Sequence, residues 1–266
     1  MSHQIRSFAS VAAASLVATA LCMPVSATGA DELAYACTDD AHLARLSAPL
    51  PRMRRLIATG HPVTIMALGS SSTAGAGAST SAASYPARLE VELRSHFPRA
   101  AITVINRGVN GEEAADMMAR FDQAAAEDKP DVVLWQVGTN AVLRDSPIGP
   151  VDQLIVEGLA RMKALGADVV LIDPQFAPKV LVKPDAEGMV SDIAAASASR
   201  GVDLFQRFAV MREWHDAAAI PFETFLSPDL LHMNDWGYGC FAKLLGAAIA
   251  DAVTRPVVSA GAITAK

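Results

Sequence analysis

The residues that could do chemistry gather first at Gly69-Ser70-Ser71-Ser72-Thr73. Three hydroxyls follow a glycine that ends the apolar run Val63–Leu68. A short apolar run rich in β-branched residues at its start reads as a buried strand, and glycine turns the chain out of it. A serine so placed stands at the carboxyl end of a strand, where open α/β sheets bind ligands. The chemistry it suggests is nucleophilic attack by one of the three hydroxyls.

Two more strand ends carry related punctuation. Asn106-Arg107-Gly108-Val109-Asn110-Gly111 follows an apolar run at 101–106, and Gly138-Thr139-Asn140 follows one at 132–137. Backbone amides beside glycine and a side-chain amide are the donors that an acyl-transfer site aims at a developing oxyanion. A base is also required. His3, His42, His61 and His96 have no suggestive polar neighbours, and His215 beside Trp214 reads as a surface residue. His232 is different, because Asp229 precedes it by three in Pro228-Asp229-Leu230-Leu231-His232-Met233-Asn234. Residues three apart share one side of a coil, so the carboxylate can orient the imidazole.

The order and spacing of these blocks resemble the SGNH (GDSL-type) hydrolases, serine esterases with a flavodoxin-like α/β/α fold. The resemblance implies Ser71 as nucleophile, since Gly69 and Thr73 set the register, with Asp229 and His232 completing the triad. It implies an oxyanion hole made by the amides of Ser71 and Gly108 and the side chain of Asn140. Asn110 also stands near this position, but the block pattern favours Gly108. Ser70 replaces the usual aspartate before the nucleophile, and Ala141 replaces the one after Asn140. Both departures touch loop hydrogen bonding rather than the triad. The resemblance implies no cofactor, and no His, Cys and carboxylate cluster has metal-ligand spacing. The expected activity is hydrolysis of small acyl esters, with O-acetyl groups of a polysaccharide as leading substrate. A lipase, lysophospholipase or thioesterase is the alternative, and a non-catalytic saccharide-binding protein is an alternative of another class.

Other motifs fail. There is no Gly-Lys-Ser/Thr for a phosphate loop, and Thr73 breaks the Gly-x-Ser-x-Gly elbow. With 22 basic and 28 acidic residues the chain has net charge −6, which offers nothing to nucleic acid. At 266 residues, 52% hydrophobic and 19% charged, it can bury a full core.

The elements that must position the site follow from periodicity. Helices are expected at 38–60 (with a kink or break at Pro51), 85–97, 112–127, 150–165, 185–200, 208–214 and from Asn234 or Asp235 to 253. Strands are expected at 63–68, 101–106, 132–137, 167–172 and 202–205, and residues 216–231 as mostly loop. Five strands alternating with helices predict a three-layer α/β/α sandwich on a five-stranded parallel sheet. Residues 31–253 are expected to form one domain, followed by a flexible tail at 254–266.

Residues 1–27 read as a signal peptide. Arg6 precedes an apolar or small stretch, Val25-Ser26-Ala27 fits a cleavage site, and cleavage after Ala30 is a second option. Pro24 breaks the run, so a membrane anchor is not expected. Export to the periplasm or medium brings oxidising conditions, under which Cys37 and Cys240 either pair or stay as two buried thiols.

Overall fold

The computed structural model describes Met1, Cys37 and residues 42–255. The proposed leader, residues 38–41 of the first expected helix and most of the expected tail lie outside the described residues. The described residues from Cys37 onward group as one compact unit.

The elements run in the order α1 (Pro51–Ala58), β1 (Val63–Gly69), α2 (Ser71–Ala74), α3 (Tyr85–His96), β2 (Ile102–Gly108), α4 (Ala114–Asp128), β3 (Val132–Gln136), α5 (Thr139–Leu143), α6 (Ile148–Ala164), β4 (Asp168–Ile172), α7 (Pro178–Leu181), α8 (Ala186–Arg200), β5 (Asp203–Phe205), α9 (Arg207–Arg212), α10 (Phe222–Phe225) and α11 (Asp235–Thr254). The five strands form one all-parallel sheet in the order β2-β1-β3-β4-β5. From β1 the chain first steps outward to β2, then returns past β1 to β3 and continues the other way. Right-handed crossovers therefore put the connecting helices on opposite faces. α3 packs with α11, while α4, α6 and α8 pack in a row. The direction of winding reverses between β1 and β3, which opens a crevice at their carboxyl ends.

The sequence explains the strand order. β3 and β4 are wholly buried and apolar except for Gln136 at the end of β3 and Asp168 at the start of β4, as central parallel strands should be. β2 is an edge strand, buried at Ile102 and exposed at Thr103 and Asn106. Trp135 fits into the core against Gly158 on α6 because that residue has no side chain; a Cβ there would come to 2.5 Å from the indole.

Several boundaries depart from the sequence reading. The first helix starts at Pro51 rather than near 38, with residues 45–50 irregular. Carboxylates at the amino ends of the strands explain this. Asp168 accepts from the amides of Arg52 (3.2 Å) and Met53 (2.9 Å), holding the helix start. Asp203 accepts from Ser47 Oγ and the Ala48 amide at 2.8 Å, drawing the preceding segment across the strand starts. β2 runs two residues further than expected because its pairing with β1 continues to Gly69 opposite Gly108. Within 216–231, expected as mostly loop, Phe222–Phe225 is a helical turn packed on Trp214. Cys37 and Cys240 are joined in a disulfide, with Cα atoms 5.4 Å apart, so the chain before α1 is clipped to α11.

Asp173, just past β4, is 1% exposed, and Oδ1 accepts the Phe208 amide at 2.9 Å. Burial pushes its carboxyl up to about 7, against the opposing pull of that amide and of the Arg207 charge. An unfolded aspartate titrates near ~3.9. The folded protein thus binds the extra proton between those values, and the stability it confers is full below about pH 4 and lost as pH rises through 7. Asp173→Asn should remove this slope. Urea midpoints at pH 5 and pH 8 should converge in the variant relative to wild type, and equal slopes in both proteins would refute the assignment.

Candidate active site

Gly69 ends β1 with no room for a side chain, since an added Cβ would fall on Thr73 Oγ1 and 2.9 Å from Gln136 Oε1. The chain turns directly into α2, with Ser70 at the N-cap and Ser71 as first residue. Ser70, at 2% exposure, does not face solvent. Its amide and hydroxyl donate to Gln136 Oε1 at 3.0 and 3.1 Å, and Thr73 Oγ1 donates to the same oxygen at 3.1 Å. Three donors on one acceptor at the end of β3 fix the turn, and Ser71 is the serine left pointing out of it.

Its partner comes from the turn before α11. His232 Nε2 lies 2.8 Å from Ser71 Oγ, and His232 Nδ1 lies 2.5 Å from Asp229 Oδ2. The carboxylate can only accept, so Nδ1 carries the proton and Nε2 presents its lone pair to the serine. Asp229 Oδ1 is filled by Ser227 Oγ (2.7 Å) and the amides of Leu231 (3.0 Å) and His232 (2.9 Å). Burial pushes this carboxyl up, but the hydrogen bonds from His232, Ser227 and Leu231 together hold it well below the usual carboxylate range. Leu230 takes φ +57° to close the turn, and the Ser227 amide bonds the His232 carbonyl at 2.8 Å. Asn234 then caps α11 by accepting from the Gly237 amide at 3.0 Å.

Asn140 stands in the first turn of α5, directly after Thr139 and the Gly138 cap. One N–H of its amide donates to the Glu112 carbonyl at 2.8 Å, which joins this helix to the loop after β2. Gly108 does something else. Its amide donates to Asn106 Oδ1 at 2.9 Å, and its bare Cα lies under the backbone of Thr73 and Ala74. Its chemistry is close approach of β2 to α2. The Gly111 N–H has no acceptor among the described residues, and the Gly111 carbonyl is held by Arg144 Nη2 at 2.7 Å. His215 lies away from this group: Nδ1 is 3.0 Å from the Ile220 carbonyl and the ring stacks on Phe222 at 3.8 Å. Among the described residues, no three His, Cys or carboxylate side chains cluster to hold a metal.

Sequence reasoning missed Ser227, Gln136 and Gly77. Ser227 sits two before Asp229, a spacing at which a hydroxyl commonly bonds a turn carboxylate. Gln136 gave a signal, being the single polar residue of a buried strand. Gly77 was hidden among small residues. It takes φ +89°, and a Cβ there would fall on the Met233 carbonyl and 2.9 Å from His232 Cβ. Gly77→Ala should therefore displace the histidine turn, costing about 1–3 kcal/mol of stability. It should also slow ester turnover at least about tenfold. Thermal melts with initial rates check both, and an unchanged rate would contradict the contact.

Comparisons with known proteins fit this arrangement. An arylesterase from Vibrio mimicus is 30% identical over 95 residues, 36% of this chain and 46% of that one. A two-domain esterase active on acetylated mannans, crystallised with mannopentaose, superposes with TM-score 0.66 at 18% identity. That match covers 79% of this chain and 56% of the esterase, so the chain spans about half the length of these two relatives. An acetylxylan esterase from Geobacillus stearothermophilus gives TM-score 0.61 at 17% identity over 70% of this chain and 94% of that one. At such identities these structures establish the shared α/β/α fold. The sequence profile of the non-GDSL lipase-like family matches residues 36–255, which contain the whole sheet and every residue of the site, and the chain belongs to that family.

Proposed function

We propose that this chain is a serine carboxylic-ester hydrolase that works through an acyl-enzyme. The observation that carries the reading is the unbroken relay from Ser71 Oγ to His232 Nε2 (2.8 Å) and from His232 Nδ1 to Asp229 Oδ2 (2.5 Å). Ser71 Oγ attacks the ester carbonyl carbon while its proton passes to His232 Nε2. Asp229 stays ionised throughout, which its depressed pKa supports, and stabilises the imidazolium. The carbon–oxygen bond to the alcohol then breaks, and His232 returns the proton to the departing alcohol. Water attacks the acyl-serine, gives its proton to His232, and the acid leaves as Ser71 recovers its hydrogen.

The developing oxyanion needs donors that are not already spent. The Ser71 amide begins a helix, and Asn140 keeps one N–H beyond the one on Glu112. The Gly108 amide expected from the block pattern is engaged by Asn106, so we assign the third donor to the Gly111 N–H. Gly111 adjoins Glu112, whose carbonyl accepts from Asn140, and that adjacency supports the assignment.

For substrate we favour O-acetyl groups on a polysaccharide outside the cytoplasm. Fold neighbours that act on acetylated mannan and acetylxylan support the acetyl group, and the Cys37–Cys240 disulfide supports an oxidising compartment. Among the described residues no helix is long and apolar enough to cross a membrane. A longer acyl chain is the second reading, favoured by the lipase-like family and by Leu230, 41% exposed within the histidine turn.

Ser71→Ala should lower p-nitrophenyl acetate turnover by at least about 10³-fold with an unchanged circular dichroism spectrum. Wild-type turnover in that folded variant would overturn the nucleophile. Across a series of p-nitrophenyl esters, kcat/KM should peak at acetate and fall with chain length. A rise toward long chains would instead select the lipid reading.

A further inference from the structure

Beneath the site lies a buried side chain that the mechanism above does not use. Gln175 follows β4 and is 1% exposed. Its Oε1 accepts from Thr139 Oγ1 and from Arg207 Nη2, each at 2.9 Å. Its Nε2 donates to the Leu231 carbonyl at 3.3 Å. The orientation of the amide is dictated by chemistry. A guanidinium can only donate, so the oxygen must face Arg207 and the NH2 must face Leu231.

The two residues it grips are informative. Thr139 directly precedes Asn140, and Leu231 directly precedes His232. These lie on separate elements, 92 positions apart between Thr139 and Leu231, and the same primary amide bonds both. Arg207 locks that amide from behind. It is fully buried, with Nε on the Asp173 carbonyl at 2.9 Å, the guanidinium over Phe241 and Nη1 without a hydrogen-bond partner. A buried cation with an orphaned donor is a costly way to fill a core. Its guanidinium spans the Asp173 carbonyl and Gln175, the one side chain it hydrogen-bonds, and so fixes that amide relative to the end of β4.

We propose that Gln175 is a positioning residue for the reaction, setting the separation between the helix that carries Asn140 and the turn that carries His232. The proposal rests on the Ser71–His232–Asp229 reading for its effect on turnover, but the positioning itself is a matter of geometry. A primary amide is the side chain that fits, because one end must accept twice while the other donates.

Gln175→Glu is the discriminating variant. It preserves volume and both acceptor contacts, gives Arg207 a carboxylate partner, and replaces the donor facing Leu231 with an oxygen that repels the carbonyl. The lost hydrogen bond to Leu231 lowers Tm for a merely structural residue too, so the readouts that discriminate are kcat against KM and the position of His232. The expected result is a folded variant with KM for p-nitrophenyl acetate within about twofold and kcat lower by about ten- to a hundredfold. A crystal structure of the variant should show His232 Nε2 withdrawn from its 2.8 Å contact with Ser71 Oγ. A kcat within about twofold of wild type together with a retained contact overturns the proposal. If Gln175→Glu fails to fold, Thr139→Val cuts the other arm while leaving Arg207 on Gln175. It should lower kcat with KM unchanged, and a wild-type kcat there overturns the proposal instead. Should Ser71→Ala keep full turnover, the triad reading falls, and the crystallographic His232–Ser71 distance in Gln175→Glu still decides the role of Gln175.

Discussion

The structure depends on parallel pairing between β1 and β3, the two strands from which the chain winds in opposite directions. No helix can cover the crevice at their carboxyl ends, because one crossover leaves toward α3 and the other toward α6. The site is built in that gap. Ser71 leaves β1, Asn140 leaves β3, and the strand register that pairs Leu68 with Trp135 brings Gly69 level with Gln136. Gln136 Oε1 can therefore collect three hydrogen bonds from the serine turn. The turn is fastened to the neighbouring strand rather than to itself, so its geometry is inherited from the sheet.

This bears on Ser70 and Ala141, where the related blocks carry aspartate. Neither position is wet. Ser70 and Ala141 are each 2% exposed, and a carboxylate in either place would have to be paired or neutralised. Here the turn is held instead by neutral dipoles on Gln136, with Thr73 and the Tyr85 hydroxyl 3.4 Å apart behind it. Burial pushes the Tyr85 hydroxyl up to about 12, so it too stays neutral. The turn that carries Ser71 is thus held by Gln136, Thr73 and Tyr85, none of them charged.

Much of this was legible in the sequence, and the limits have physical causes. Apolar runs closed by glycine mark strands because burial and chain reversal are local properties, and all five were placed to within two residues or so. The Asp229–His232 pair was legible because both partners lie in one turn. For Gly108, a motif records which residue stands at a position, not where its N–H is spent, and Asn106 accepts that amide from two residues away. The start of α1 at Pro51 was ambiguous for a related reason. Its amides are answered by Asp168, more than a hundred residues on, and no local pattern announces such a partner.

Buried polar residues were the least visible, although they do most to couple the loops. Gln136, Gln175 and Arg207 each look like an interruption in an apolar context, and each costs desolvation. What offsets the cost is directionality. Apolar packing fixes how close two elements come but tolerates small slides, whereas an amide with a required orientation fixes register as well. A site made from four separate loops needs register at each of them, since the contact between Ser71 and His232 spans 161 positions of sequence. The strand ends bring the loops near one another, and the buried amides hold them at hydrogen-bonding distance. That division of labour explains why Gln136, Gln175 and Arg207 lie past the carboxyl ends of β3, β4 and β5 or at them, while the carboxylates that anchor α1 and the segment before it, Asp131, Asp168 and Asp203, lie at the opposite edge.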